Sequence, residues 1–286
     1  MRIGLIGYPV SHSASPRMQG AAFAAIGLDW TYELWNTPLE ELPARMQAIR
    51  DDPDLGGANV TIPHKQNVMP YVDEISTQAR AIGAINTIFK TTSSRRIHLH
   101  GDNTDWIGFL NDLRHYGVEP AQYASALVLG AGGSARAIVY ALASTGLSVR
   151  VINRDAARAE HLVAALQPAF PAQHLRSFAL TPDGLRAASR GAGLIINCTS
   201  AGMSPNSDTT PWLEGVPFPQ GATVYDLVYK PPITQLMQQA QVAGLRVFNG
   251  IGMLAEQGAV AFEHWTQTPA ARVAGVMREA LNAITR

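Results

Sequence analysis

Only one of the 286 residues is a cysteine, Cys198, so an internal disulfide is excluded and a reducing compartment suits the chain. Neither sign of charge dominates: 22 Lys plus Arg balance 22 Asp plus Glu, leaving no net field to attract a polymer phosphate or an anionic membrane. A nucleic-acid partner is therefore not expected. Nowhere does an apolar run reach the roughly 18 residues of a membrane helix, and RIGLIG (2–7) opens as a strand with no apolar segment behind a basic start. We expect a soluble, cytoplasmic protein with no membrane partner. Internal repeats and low-complexity segments are missing too, although 204–219 is rich in Pro, Ser and Thr. What remains is globular: 47% hydrophobic, 15% charged, and long enough for one large or two ordinary domains.

The most informative stretch is SALVLGAGGSAR (125–136). An apolar run is followed by Gly130, Gly132 and Ala135 at the spacing of a dinucleotide-binding turn. Glycine at 130 permits the tight turn. At 132 it lets backbone N–H groups approach a pyrophosphate at the positive end of a helix expected to start near Ala135. ARAIVYALAST continues at helical period to Gly146, and VRVI (149–152) reads as the next strand. A structural glycine turn and an S-adenosylmethionine site are the competing readings. An NAD site places a carboxylate at the end of that second strand, whereas this chain has Asn153 and Arg154, with Arg158 a helical turn on. Planar guanidiniums suit a 2′-phosphate, which favours NADP(H) over the alternative of a solvated helix face. Asp155 would repel that phosphate unless it turns away to cap the following helix.

Earlier in the chain, YPVSHSASP carries Ser11, His12, Ser13 and Ser15 before Pro16 starts a helix, with Ser15 expected as its N-cap. Hydroxyls and free N–H groups at a helix start suit a carboxylate, although ordinary capping uses the same residues. The helix runs to Gly27, followed by a strand at 30–35 and a helix at 38–50. In GGANVTIPHK (56–65) Pro63 ends a strand, so Asn59, Thr61 and Lys65 collect near its C-terminal end, where open α/β sheets hold ligands. Lys65 is the side chain there that can deliver a proton. A helix is expected from 73 to 82; GAINTIF (83–89) supplies Asn86; TTSSRR (91–96) is a hairpin tip, and RIHLHGDNTD returns as a strand. His98 and His100 alternate on that strand without a third ligand nearby, so no metal is expected. DNTD (102–105) caps a helix striped by Trp106, Ile107, Phe109, Leu110 and Leu113, and its two carboxylates and Asn exceed the needs of one cap.

That helix is the expected connector between a first domain, 1–103 plus 254–286, and a dinucleotide-binding domain, 104–253. Beyond the glycine loop, AGLIINCTSAGM (192–203) reads as a strand ending in small and hydroxyl residues, ATVYDLVYKP (222–231) as a strand ending in Tyr229, and LRVFNG (245–250) as the last strand. GMLAEQGAVAFEHW forms a helix with Gln257 four residues after Met253. A second amphipathic helix follows, striped by Val273, Val276, Met277, Leu281 and Ile284. With no strand after them, both helices return to the first domain.

The pieces GYPVSHSASP, NVTIPHK, GAINT, GDNTD, LGAGGSARA, NR, NCTSAGM, YDLVYKP and GIGMLAEQ span nearly the whole chain, and in this order they resemble the shikimate dehydrogenase family. The resemblance implies an α/β fold of two domains, an N-terminal open α/β substrate-binding domain and a Rossmann-type NADP-binding domain, separated by a cleft. It implies reversible reduction of 3-dehydroshikimate to shikimate with NADPH, a step of chorismate and aromatic amino acid biosynthesis. By that resemblance Ser13 and Ser15 bind the substrate carboxylate with help from Tyr229, while Thr61, Lys65, Asn86, Asp105 and Gln257, with Asn59, hold the ring hydroxyls. Lys65 and Asp105 form the catalytic pair. Gly130, Ala131, Gly132, Gly133 and Ser134 are assigned to the pyrophosphate, and Asn153, Arg154 and Arg158 to the adenosine phosphate. Thr199, Ser200, Ala201, Leu227, Gly250 and Met253 line the cofactor's edge.

Two positions depart from the family's commoner pattern: Asp155 replaces a frequent Thr or Ser, and Thr77 stands where an acidic residue is usual. Within the family the rival is a quinate or dual quinate/shikimate dehydrogenase, often NAD-using. Such enzymes tend to carry Ser-x-Thr where this chain has Ser13-x-Ser15, which together with Arg154 favours shikimate. A non-catalytic dinucleotide sensor is the reading from another class, yet a sensor has no use for Lys65 and Asp105. A methyltransferase lacks its acidic ribose anchor at 153, and a serine hydrolase its G-x-S-x-G elbow. The chain is expected to act as a monomer or homodimer.

Overall fold

The computed structural model describes residues 1–93, 96–170 and 174–283, which form two compact units. One comprises Met1–Gly108 and the chain from Leu254 on; the other is Phe109–Met253. The first unit opens with β1 (Arg2–Gly7), α1 (Ser15–Ala25), β2 (Thr31–Asn36), α2 (Leu42–Asp51) and β3 (Leu55–Val60). It continues through β4 (Glu74–Ile75), α3 (Thr77–Ile82), β5 (Thr87–Ser93), β6 (Arg96–Asp102) and the start of α4 (Asp105–His115). Its sheet has the order β2-β1-β3-β5-β6-β4. β1 lies parallel to β2 and β3, and β5 runs antiparallel to both its neighbours.

One core of this unit gathers Ile6, Trp35, Met46, Ile49, Val60, Ile85, Ile88 and Leu99, each large side chain contributing about 1.5–3 kcal/mol on burial. Here local patterning yields to pairing in two places. Residues 73–76 do not join the expected helix, because Asp73 N–H bonds to Leu99 O (2.8 Å) and Ser76 N–H to Gly101 O (3.0 Å). The chain is drawn into the sheet as β4, and the helix starts only at Thr77, capped by Ser76. Nor does Ser15 act as N-cap: the helix already includes Ser15 as its first residue, and Ala14 holds the cap position without a side-chain bond. Of the expected hairpin tip, Ser94 and Arg95 lie outside the described residues, as does Ile284 of the last helix.

The second unit contains β7 (Ser125–Leu129), α5 (Gly133–Ser144), β8 (Ser148–Asn153), α6 (Ala156–Leu166) and β9 (Leu175–Ala179). Then come α7 (Pro182–Ser189), β10 (Leu194–Asn197), β11 (Thr223–Asp226), α8 (Gln235–Val242) and β12 (Arg246–Asn249). The strands are all parallel, in the order β12-β11-β10-β7-β8-β9. This is the doubly wound order, whose switch point falls between β7 and β10. β7, β10 and β11 are buried along their whole length, as a sheet covered on both faces requires. β11 ends at Asp226, short of the expected Tyr229, because the Asp226 carboxylate accepts the Val228 N–H at 3.0 Å and bends the chain into a turn. α5 begins two residues before Ala135, at Gly133.

Two helices close the chain: α9 (Ile251–Thr266), which passes to the first unit after Met253, and α10 (Ala274–Asn282). Phe262 of α9 packs on Phe23 of α1 with ring centroids 5.2 Å apart. The other break falls within α4, after Gly108, rather than before its first residues. A Cβ on Gly108 would stand 2.5 Å from the Gln257 backbone nitrogen, so the first turn of α4 is fastened to α9. Among the described residues, no helix is long and apolar enough to cross a membrane.

Candidate active site

In the first unit, the end of β3 feeds a turn in which His64 N–H bonds to Thr61 O (2.8 Å). His64 is fully buried, and its Nε2 pairs with Thr37 O at 2.7 Å. Lys65 follows, its own carbonyl accepting Ile85 N–H at 2.6 Å. Held by these backbone bonds on either side, Lys65 donates from Nζ to Asp105 Oδ2 at 2.6 Å, with side chains only 11% and 6% exposed. A charge-assisted bond of this length counters part of the cost of burying both ions.

Asp105 opens α4, where its N–H is received by Asn103 Oδ1 (3.1 Å) and Asn103 in turn donates to Ala84 O (2.9 Å). Its second oxygen accepts Asn86 Nδ2 at 2.8 Å. Asn86 is held the right way round by Thr104 N–H, which donates to Asn86 Oδ1 at 2.7 Å. Gln257 Oε1, from α9, lies 3.3 Å from the same Asn86 amide. Lys65, Asn86, Asp105 and Gln257 thus share one cluster, and Thr61 stands half-buried at the end of β3. An ammonium oriented by a carboxylate can stabilise an oxyanion and supply it with a proton.

Ser13 donates to Ser15 Oγ at 3.1 Å and accepts the Ser15 N–H at 3.2 Å. Burial pushes the Tyr32 hydroxyl well above its ordinary pKa, against the smaller opposing effect of Ser15, so it stays a protonated donor. It gives its proton to Asn59 Oδ1 at 2.8 Å. Asn59 spends its amide on Asn86 O and Thr87 Oγ1, both at 3.2 Å; it is a strut inside the fold. Tyr32, Thr87, Asn103 and Thr104 join the site although no motif assigned them a role. Thr87, Asn103 and Thr104 at least lie inside quoted motifs; an inward hydroxyl on β2 is the signal for Tyr32.

Asp102, the other carboxylate of DNTD, is structural. Burial alone would raise its pKa, but hydrogen bonds from His264 and Ser76 and from Asn103 N–H hold it below the usual range. His100 pairs with Thr91 Oγ1 at 2.6 Å. Among the described residues no three His, Cys, Asp or Glu side chains group so as to hold a metal ion.

In the second unit the glycine turn lies at the switch point. Gly130 has φ +106°, and a Cβ there would come within 3.1 Å of Thr199 Cγ2 and 3.2 Å of the Cys198 carbonyl carbon, so only glycine fits. At Gly132 a Cβ would meet nothing within 4 Å. That open space faces the start of α5, which no side chain caps, and with Ala131, Gly133 and Ser134 it leaves a cradle suited to a pyrophosphate. At the end of β8, Asn153 Nδ2 donates to Asp155 O (2.9 Å), and the Asp155 carboxylate accepts Ala157 N–H at 3.1 Å. Asp155 caps α6, as a phosphate site beside it requires, while Arg154 and Arg158 stand exposed.

Beyond β10, Thr199 N–H and Oγ1 both bond to Asn197 Oδ1 (2.9 and 2.7 Å), and Ala201 N–H returns to Thr199 Oγ1 at 3.2 Å; Ser200 lies between them. Asn197 Nδ2 donates to Asp226 (2.8 Å), which also receives Thr234 at 2.6 Å. Burial pushes the Asp226 carboxyl up to about 6 despite these donors. A Cβ on Gly250 would meet Leu227 O at 2.2 Å, which brings Leu227 against Gly250 near Met253. Tyr229 lies beyond β11, half-buried. These residues fit a dinucleotide that carries an extra phosphate.

A doubly wound sheet with a glycine cradle at its switch point, joined in one chain to a mixed sheet bearing a buried Lys–Asp pair, defines a two-domain dinucleotide-dependent dehydrogenase. The model of the shikimate dehydrogenase substrate binding domain matches residues 5–88, and that of the shikimate 5′-dehydrogenase C-terminal domain matches 250–281. The chain is 42% identical over 266 residues to a shikimate dehydrogenase (NADP(+)) of Symbiobacterium thermophilum, covering 92% of this chain and 88% of the relative. It is 41% identical over 282 residues to that of Methanopyrus kandleri, covering 98% and 94%. The solved shikimate 5-dehydrogenase of Thermus thermophilus, in complex with NADP(H) and shikimate, matches with a TM-score of 0.83 at 36% identity, covering 98% of this chain and 99% of that one. The chain belongs to the shikimate dehydrogenase family.

Proposed function

We propose that this chain catalyses the reversible NADPH-dependent reduction of 3-dehydroshikimate to shikimate. The observation that carries this reading is the Lys65–Asp105 bond of 2.6 Å inside the cluster with Asn86 and Gln257. When bound, the dinucleotide supplies a hydride for the ketone carbon. Lys65 stabilises the charge that grows on the ketone oxygen and delivers the proton that completes the hydroxyl. Asp105 keeps the ammonium aimed, and in the oxidising direction the pair accepts that proton back. Ser13 and Ser15 hold the ring carboxylate with Tyr229, while Thr61, Asn86 and Gln257 take the hydroxyls.

In this reading the unit formed by 1–108 and the chain from 254 on is the substrate domain, and 109–253 the NADP domain. Arg154 and Arg158 clamp the 2′-phosphate through paired N–H donors. The single cysteine and balanced charge support a cytoplasmic enzyme, acting as a monomer or homodimer. The test is a turnover assay with shikimate and quinate, each with NADP and NAD. Shikimate with NADP is expected to be the best pair. Quinate with NAD as the best pair would change the substrate, and tight NADPH binding with no oxidoreduction of any ring acid would reduce the chain to a sensor.

A further inference from the structure

In the second unit the ladder between β10 and β11 ends at the opposed pair Asn197 and Asp226, and from there side chains bind the loops that follow. Asn197 Oδ1 accepts both the N–H and the hydroxyl of Thr199, at 2.9 and 2.7 Å, while its Nδ2 donates to Asp226 Oδ1 at 2.8 Å. That orientation of the amide is forced, because an N–H only donates and must face the amide oxygen. Asp226 Oδ1 also accepts Val228 N–H (3.0 Å), and its Oδ2 accepts the Thr234 hydroxyl at 2.6 Å. Thr234 in turn takes Met237 N–H at 3.3 Å as the cap of α8. The two loops meet twice more: Ser204 N–H bonds to Lys230 O at 3.0 Å, and a Cβ on Gly202 would come within 3.1 Å of Thr234 Cβ. Asn197, Asp226 and Thr234 are each 0% exposed, so water has no access to replace a lost link.

A dinucleotide lies across the switch point of such a sheet, one nucleotide on each half. With its adenosine phosphate at Arg154 and Arg158 beyond β8, its nicotinamide half falls over the ends of β10 and β11, where Thr199–Ala201 and Leu227 stand on the two loops. The three buried side chains cannot touch the cofactor themselves. Losing the Thr234 hydroxyl, however, leaves Asp226 Oδ2 buried and unpaired, a cost the carboxyl escapes only by turning away from Asn197 and Val228. We infer that Asn197, Asp226 and Thr234 are positioning residues that join the two loops into one seat for the nicotinamide half of the cofactor. The adenosine end, held beyond β8, lies outside their reach. The inference rests on the functional reading above.

The test measures the affinity of NADPH and of adenosine 2′,5′-bisphosphate, which carries the 2′-phosphate without the nicotinamide, for the parent and for Thr234→Val, with Asn197→Ala as a second break. Each variant should weaken NADPH binding by about 3–10-fold, the net worth of one hydrogen bond, and leave the affinity for the bisphosphate unchanged. Thr234→Ser, which keeps the hydroxyl, should bind NADPH as the parent does. Equal weakening of the two ligands in both variants, or no weakening of either, would make the cluster structural only and overturn the inference. If the parent binds neither ligand, the functional reading has failed separately. The cluster is then judged by amide hydrogen exchange in Thr234→Val. Faster exchange at Thr199 and Ala201 supports it, and exchange that rises only within 226–237, or nowhere, overturns it.

Discussion

Lys65 and Asp226 are the two residues whose chemistry makes the sharpest demands. General acid help is typically worth about 10²–10⁴-fold, so Lys65→Ala should lower kcat by a similar order with little change in KM; steady-state kinetics on a variant with intact melting behaviour reads this. A rise in KM alone would make Lys65 a binding residue. Asp226 concerns stability. Its folded pKa of about 6 lies above the ordinary 3.8, so between those values the native state holds a proton that the unfolded chain releases. Its contribution is complete below about pH 4 and is lost as pH rises through 6. Asp226→Asn keeps the oxygen that faces Asn197 and Val228 N–H, and should gain up to about 3 kcal/mol over the parent above pH 6, converging with it near pH 4. Urea unfolding at both pH values checks the sign. Asp102 and Asp73, held low, act in the opposite sense, losing their contribution as pH falls below the ordinary carboxylate range. None of the three short motifs that carry Lys65, Asn86 and Asp105 alone assigns a role; that these residues meet in one cluster was legible only through the family resemblance that the motifs carry together. Tyr32 was not, since a tyrosine on a strand is by default packing, and its partner Asn59 lies 27 residues away.

At the scale of elements, the strand-turn-helix β7–α5 separates stability from binding. Gly130→Ala must place a side chain at φ +106° and against Thr199, at a cost of about 1–3 kcal/mol. It should lower the melting temperature of the free protein. Gly132→Ala meets nothing within 4 Å, so stability should stay within about 0.5 kcal/mol of the parent, while the added methyl intrudes on the pyrophosphate cradle. NADPH fluorescence titration is expected to show at least about tenfold weaker binding, roughly 1.4 kcal/mol. Unchanged affinity would remove the pyrophosphate from the start of α5. Elements with strong local signals, such as the turn at 130–134, were readable from spacing alone. Elements set by distant pairing were not: nothing near 73–76 announces the bonds to Leu99 and Gly101 that turn it into β4, and β11 stops at Asp226 through a side chain rather than a proline.

For the whole molecule, the return of α9 and α10 to the first unit followed from the lack of any later strand to serve, whereas the break inside α4 depends on Gly108 meeting Gln257, a contact between residues far apart in the chain. Each unit has its own core: Ile6, Met46, Ile85 and Leu99 in one, Leu127, Ile195, Val224 and Leu236 in the other. In the proposed function each also has its own ligand, and a ligand at 100 times its Kd stabilises what it binds by about 2.7 kcal/mol. For units of this size that shifts a midpoint by roughly 5–10 °C. Calorimetry of the intact chain should therefore resolve two transitions, one raised by NADP and the other by shikimate. The assignment follows from the variants: Gly132→Ala should abolish most of the NADP shift and leave the shikimate shift whole. If saturating either ligand moves a single transition, the two cores unfold together, and the division of the chain is one of architecture without separate stability.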